Sequence, residues 1–492
     1  MKYFKLYIIA ITLLISVQTF SQDNVFLSRD FWSTNPTVEV IDSKIKEGNN
    51  PSEANGGNFD GVVYAILQDA PYETIVHLQS QKGNDVNKLT HDGRTYIFWA
   101  AYKGNVEIME YLLKKGAKTD IRDDHDYTPL NFAANAGVKN TKVYDILIAN
   151  GANLKEDLNH DGANALLMVI SKDDDFSLTE YFTSKGLSLD ATDANGNGAF
   201  NYVARTGNVA LMNKLLDKGI QGNDQAFLFA AYGSRGKPNG IEVYKYLESK
   251  GLNPNISNAE GITPLHVVAA RSKDLDVLHY LKEKGLSVNQ TDDKGNTPFL
   301  NAAFRNDLEI IKLLSKNVNN INHTNKKGET ALMLAVQGNA SEVVKFLIEK
   351  GADINATDKK GNNLSYYLVN TYSQRNKKSF NEKLETLKTL GYNFSTPQEN
   401  GKTWYHFAVE KNSLELLELA SKLKLDINAK NSDGNTALIL AAMKAQDDKI
   451  LKYLLNHGAN KSETTDFDET AYDLAEENEL LAKNNVSIEF LK

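Results

Sequence analysis

The sequence predicts a mostly α-helical solenoid of about fourteen helix-turn-helix and hairpin units with degenerate terminal caps. Three observations carry this. A glycine, or a polar residue in its place, returns with a period near 33, at Gly61, Gly93, Asp126, Gly162, Gly196, Asn223, Gly261, Gly295, Gly328, Gly361, Gly401, Gly434 and Asp468. A Thr-Pro-Leu-like tetrapeptide and then a pair of small residues follow many of these turns. A second apolar stripe comes next and ends at Gly-Ala. One helix pair cannot bury its apolar face alone, so a fixed period of this size implies units stacked on one another.

Each element of the unit has a physical reason. Thr128-Pro129-Leu130-Asn131, Thr263-Pro264-Leu265-His266 and Thr297-Pro298-Phe299-Leu300 open the first helix. The Thr hydroxyl caps a free N–H, and Pro has the φ of a first helical turn. Small pairs at Ala100-Ala101, Ala133-Ala134, Ala230-Ala231, Ala302-Ala303 and Ala441-Ala442 let neighbouring helices approach closely. The second helix carries apolar residues three and four apart, as in Ile108, Met109, Leu112 and Leu113 or Val343, Val344, Leu347 and Ile348. Gly116-Ala117, Gly151-Ala152, Gly351-Ala352 and Gly458-Ala459 end it, since Gly takes the left-handed terminating conformation.

These units resemble the ankyrin repeat family, most fully at Gly261 to Asn289, Gly328 to Asn355 and Gly434 to Asn460. The resemblance covers nearly all of the chain after residue 21. It implies two helices and a projecting hairpin per unit, stacked into a curved solenoid. It also implies that the hairpin tips and the inner face of the first helices meet a partner. Several units depart from the pattern. Asp126 and Asp468 replace the turn Gly, the Asn223 unit lacks Thr-Pro, and the Gly361 unit has Leu368-Val369 in place of the small pair. Residues 22–60, with Phe31, Trp32, Val38, Val40, Ile41 and Ile45, are expected to cap the first face. The array is expected over 61–463, and 464–492 as the C-terminal cap. At helix-packing distances such a stack is on the order of 140 Å long, with no room for a conventional catalytic domain.

Residues 1–21 read as a leader. Lys2 and Lys5 precede an apolar stretch from Leu6 to Val17, and small side chains at Thr19 and Ser21 follow. Twelve apolar residues are too few to span a bilayer, which needs about 20. Cleavage before Gln22 takes the net charge from −8 to −10. Export is therefore expected, with the periplasm as destination and secretion as the alternative, and no integral membrane insertion of the mature chain.

Composition narrows the function. Zero Cys excludes disulfides, thiol nucleophiles and Cys-ligated metals. With 55 basic against 63 acidic residues and no long basic run, nucleic-acid binding is not expected. Asp193-Ala194-Asn195-Gly196-Asn197-Gly198 imitates a calcium loop but has Ala204 where a Glu is required, so a hairpin is the plainer reading. Gly233-Ser234-Arg235-Gly236-Lys237-Pro238 lacks the Ser or Thr of a phosphate loop and reads as a surface insertion. A second insertion, 370–383, reads as a basic loop with Arg375, Lys377, Lys378 and Lys383. His91, His125 and His160 stand beside acids at consecutive tips; solvated turns are the bland reading and a metal-assisted site the sharp one. No cofactor or metal is assigned.

The activity expected is non-catalytic binding of an unidentified protein partner, as scaffold, inhibitor or support protein. The competing reading is an enzyme with an unrecognised site between repeats. The partner-contact set, from the position after the small pair and from the hairpins, is Arg94, Tyr102, Lys103, Tyr127, Arg205, Tyr232, Arg271, Phe304 and Arg305. Exposed aromatics and Arg are the side chains that concentrate binding energy. The competing role for the aromatics is packing between units.

Overall fold

Short first helices recur at the expected period, among them Tyr96–Lys103, Pro129–Ala136, Pro264–Arg271, Pro298–Arg305 and Ala437–Lys444. Each is followed by an antiparallel partner, such as Val106–Lys114, Lys142–Ala149, Leu275–Glu283, Leu308–Ser315 and Lys449–Asn456. The structure, a computed structural model, describes residues 24–234 and 236–492; the expected leader lies outside these. Two compact units form, one running to Tyr202 and taking in Lys214–Gln221, the other Val203–Asn213 with Gly222–Lys492. Among the described residues there are helices and isolated β-bridges but no strand, and within each unit the helix pairs stack as an ankyrin-type solenoid.

The first helices start where the sequence places them. The hydroxyls of Thr128, Thr263, Thr297, Thr330, Thr436 and Thr470 accept from the N–H three residues on. Ala133, Ala134, Ala230, Ala231, Ala302, Ala303 and Ala442 are completely buried, and Ala441 nearly so. Through these small faces Pro264–Arg271 packs on Pro298–Arg305, which packs on Ala331–Gly338. The second helices bury their stripes, as at Ile108, Met109 and Leu112 or Val343, Val344 and Leu347. Each such apolar side chain contributes about 1.5–3 kcal/mol on burial.

Most hairpin tips share one geometry. The first tip residue turns its side-chain oxygen onto two backbone N–H groups, two and four residues ahead. Asp123 accepts from His125 and Tyr127, Asp292 from Lys294 and Asn296, and Asn431 from Asp433 and Asn435, all within 3.0 Å. The next N–H donates to a carbonyl of the preceding tip: Asp124 to Asp92, Asp293 to Glu260, Lys326 to Lys294 and Lys359 to Lys327, at 2.8–2.9 Å. The turn Gly permits this approach. A Cβ on Gly328 would stand 2.6 Å from the Lys359 nitrogen, and Gly328 has φ +83°. Asp126 and Asp468 hold the same left-handed conformation, each with φ 63°.

Asparagine side chains make the remaining joints. The Asn306 amide donates to the Ala269 and Ser272 carbonyls, and Asn339 repeats this on Ala303 and Asn306. Asn289 donates to the Asn317 carbonyl and accepts from the Asn319 N–H, while Asn322 does the same with Gly351 and Asp353.

Four expectations need correction. Gly61 is not a turn glycine. It is the first residue of the helix Gly61–Leu67, capped by Asp60, and the left-handed turn residue is Asn58 at φ 58°. Asn223 is not in the left-handed region either; that repeat lacks the hairpin tip, which explains its short spacing. The 370–383 insertion is not a loop. After a turn it becomes Lys377–Thr389, a 13-residue second helix packed on Ser341–Glu349. Its Lys383 faces inward, where Nζ donates to the Val336 carbonyl at 2.7 Å and burial lowers its pKa to about 8. That carbonyl lies in the last turn of Ala331–Gly338, so the lysine caps an unpaired acceptor. In the N-terminal segment Phe26, Trp32 and Ile41 are buried, whereas Val40 is 39% exposed.

Ala302→Leu should destabilise the second unit by about 1–3 kcal/mol through overpacking. Denaturant unfolding followed by circular dichroism measures this, and an unchanged midpoint would show that Ala302 does not set the helix spacing.

Candidate functional site

Two groups of side chains lie on the faces where partner contacts are expected, one in each unit. In the first unit the rings of Phe59, Trp99, Phe132 and Tyr102 form a chain. Phe59 and Trp99 centroids are 5.7 Å apart, Trp99 and Phe132 5.8 Å, and Phe132 and Tyr102 5.4 Å in a stacked pair. Tyr102 is 42% exposed and forms the open end. Lys103 reaches back to the preceding repeat, where Nζ donates to Asp69 at 2.6 Å and to the Leu67 carbonyl at 3.1 Å. Tyr127 is half-buried, with its N–H held by Asp123.

Arg94 does not offer a free side chain. It is 7% exposed, with Nε donating to Asp123 at 2.7 Å and Nη1 standing 3.1 Å from Asp92. Its guanidinium lies 4.2 Å from the Phe132 ring centroid. Two carboxylates and an aromatic face hold it between adjacent tips, so its role in the structure is to join them.

In the second unit Arg205, Arg271 and Arg305 are exposed, and Tyr232 and Phe304 are half-buried beside them. The Arg271 guanidinium lies 5.6 Å from the Tyr232 ring and that of Arg305 4.7 Å from the Phe304 ring. Phe304 also packs between repeats: a Cβ on Gly338 would come within 2.5 Å of its ring. Burial raises the Tyr232 hydroxyl pKa, with Glu260 adding to the rise and Arg271 and Arg205 opposing it. The structure thus brings Arg205, Tyr232 and Arg271 into one electrostatic neighbourhood.

The tip histidines are only partly assembled. His91 and His125 each bring Nε2 to 3.3 Å from the Asp92 carboxylate, which Arg94 also contacts. His160 pairs with its own neighbour Asp161. Among the described residues no group of three or more His, Asp or Glu stands in metal-holding geometry. The Asp193 carboxylate serves its own hairpin, accepting from the Asn195 and Asn197 N–H groups. Gly233 takes a tight turn at φ +64° that brings its Cβ position against the Lys237 carbonyl.

A cleft of about 610 Å³ in the second unit is lined by Tyr372, Gln374, Lys411, Ser413, Glu415 and Lys449, among others. Glu415 is paired with Lys377 at 3.0 Å and Lys449 with Asp447 at 3.1 Å, so these charges serve one another.

Sequence reasoning missed Phe132 and Trp99 as members of the ring chain, and Phe467, which is 85% exposed at a hairpin tip. The signal for Phe467 was its position between Asp466 and Asp468, the projecting part of the turn.

A family model for ankyrin repeats (3 copies) matches residues 62–157, 227–320, 265–358 and 376–465. These matches span more than half of the chain, which belongs to the ankyrin repeat family. No curated protein matches it. Matches to solved structures number 459 chains. One is the ankyrin repeat domain of Bcl-3, titled a unique member of the IkappaB protein family; it is 21% identical, with TM-score 0.35, covering 53% of this chain and 99% of that one. Ankyrin repeats are protein–protein interaction modules, and the family is generally non-catalytic.

His266 and His406 have structural roles. In each, Nδ1 accepts the N–H of the capping Thr, and Nε2 donates to a carbonyl of the next repeat, Asn296 or Asn435. A protonated ring cannot accept the Thr N–H. Burial lowers both pKa values below the ordinary 6.5. The unfolded chain then takes up protons that the folded chain refuses, so stability falls as pH drops below about 6.5. The parent melting temperature should fall more from about pH 7.5 to about pH 5.5 than that of a His266→Gln, His406→Gln variant. Equal slopes in calorimetry would remove these rings as the cause.

Proposed function

We propose that this is an exported, non-catalytic binding protein that holds a protein partner against the first-helix faces and hairpin tips. It would act in the periplasm as scaffold, inhibitor or support protein. The observation that carries the reading is the set of exposed or half-buried aromatics and arginines at the two positions that follow the small pair: Tyr102 in the first unit, and Tyr232, Arg271, Phe304 and Arg305 in the second. The stacking of repeats does not require large side chains there, because Ala270, Gln337 and Glu410 occupy equivalent positions. Of the nine residues expected at the interface, Arg94 is set aside because it is buried among its own carboxylates.

Export is supported by the order of basic, apolar and small residues over 1–21. Mass spectrometry of the protein from its native source should find a terminus at Gln22; a retained Met1 would sink export by cleavage. Tyr102→Ala with Tyr232→Ala should reduce partner recovery in crosslinking by roughly tenfold or more, the loss typical of aromatic anchors. The lost ring packing should lower the melting temperature only modestly, with the cooperative transition retained. Undiminished recovery would place the interface elsewhere.

A further inference from the structure

One cleft of the second unit is built by residues that the repeat itself does not need. Residues 371–376 stand between Leu364–Asn370 and Lys377–Thr389, where residues 306 and 307 suffice between Pro298–Arg305 and Leu308–Ser315. Long connections in a compact array tend to carry function. This one supplies Tyr372, Ser373 and Gln374 to the cleft of about 610 Å³, and the following repeat supplies Asn412 and Ser413. The volume falls within the ~300–1,000 Å³ of small-molecule sites. A recess of about 190 Å³ shares Asn412 and Ile450 with the cleft, so the space continues towards Ala441 and Lys444.

The polar groups there have capacity left over, of a particular kind. Ser373 Oγ accepts the Asn376 N–H and Ser413 Oγ the Leu416 N–H, each at 3.3 Å. A hydroxyl that accepts still has its own proton to donate. Gln374 donates Nε2 to Glu415 at 3.0 Å, which leaves its carbonyl oxygen to accept. The exposed Asn412 amide makes no hydrogen bond among the described residues and offers both functions. The Tyr372 hydroxyl is buried without a partner. Leu414 and Ile450 add apolar surface.

The charges, by contrast, are largely spent. Glu415 is held by Lys377 at 3.0 Å as well as by Gln374, and Asp447 by Lys449 at 3.1 Å. A charged ligand has to displace one of these. Lys411 is the lining cation without a carboxylate of the described residues in reach, so an acidic ligand is the rival that the test must include.

We propose that this cleft binds a neutral, polyhydroxylated ligand, a short oligosaccharide, with Ser373, Gln374, Asn412 and Ser413 reading its hydroxyls. Each sugar hydroxyl both donates and accepts, which matches donors and acceptors interleaved within one cleft. None of the nine expected partner contacts lines it, so this site stands or falls apart from the partner reading.

The test uses the full mature chain in isothermal calorimetry with maltotriose, cellotriose, xylotriose and chitotriose as neutral probes. Trigalacturonate and triglycine serve as the acidic and zwitterionic probes. At least one neutral trisaccharide should bind with a Kd below about 10 mM, and raised salt should leave that binding unchanged. Gln374→Ala with Asn412→Gly should weaken it at least about tenfold while the cooperative melting transition is retained. Both side chains are exposed, and Asn412 has φ 48°, which glycine adopts freely. Retention on an insoluble polymer of the bound sugar points to a glycan as source, and binding of the trisaccharide alone to a free sugar; either supports the inference. Silence from every neutral probe, undiminished binding in the double variant, or tighter binding of trigalacturonate or triglycine would each overturn it.

Discussion

The structure depends on one side-chain oxygen at the start of most hairpin tips. Asp123, Asp292, Asn325, Asp358 and Asn431 each hold two backbone N–H groups of their own turn, which leaves the N–H of the very next residue pointing at the previous tip. Without that oxygen two N–H groups of a partly buried turn lose their acceptor, a loss of about 0.5–1.5 kcal/mol per bond. With it, tip joins tip by a backbone bond such as Asp293 to Glu260. The register of the first helices follows, and so does the alignment of the side chains that they present.

The same register decides what an arginine does. At Arg94 the adjoining tips bring Asp92 and Asp123 to the guanidinium, and the side chain becomes an internal joint. At Arg271 and Arg305, on the ends of first helices, no acid of the described residues comes within ion-pair distance, and both side chains are exposed. Charge type was readable in the sequence; pairing was not, because it depends on which residues 29 positions away share a tip.

Much of the fold was legible. Thr-Pro-Leu capping, the alanine pairs and the terminal Gly-Ala follow from local rules, and each lands where those rules put it. Legibility failed where a local sign was ambiguous. Gly61 stood near the period but Asn58 takes the left-handed turn, since Asn tolerates that conformation too. Lys383 read as a solvated cation because nothing in its neighbours shows that the Val336 carbonyl, 47 residues earlier, needs a donor. Among the candidate contacts Tyr102, Arg271 and Arg305 are exposed, whereas the ring chain beneath Tyr102 was not foreseen. The joints at Asn289 and Asn322, and at Asn306 and Asn339, were missed although each pair is one period of 33 apart.

Those asparagines give the array a chemical clock. An amide both donates and accepts, and Asn289 uses both functions to join one repeat to the next. Asn is also among the residues that degrade with heat and time. Loss of ammonia at that side chain would leave a carboxylate that still accepts the Asn319 N–H but confronts the Asn317 carbonyl with negative charge instead of a donor. Ageing of the protein would thus show as successive failure of single couplings between neighbouring repeats, long before any peptide bond breaks.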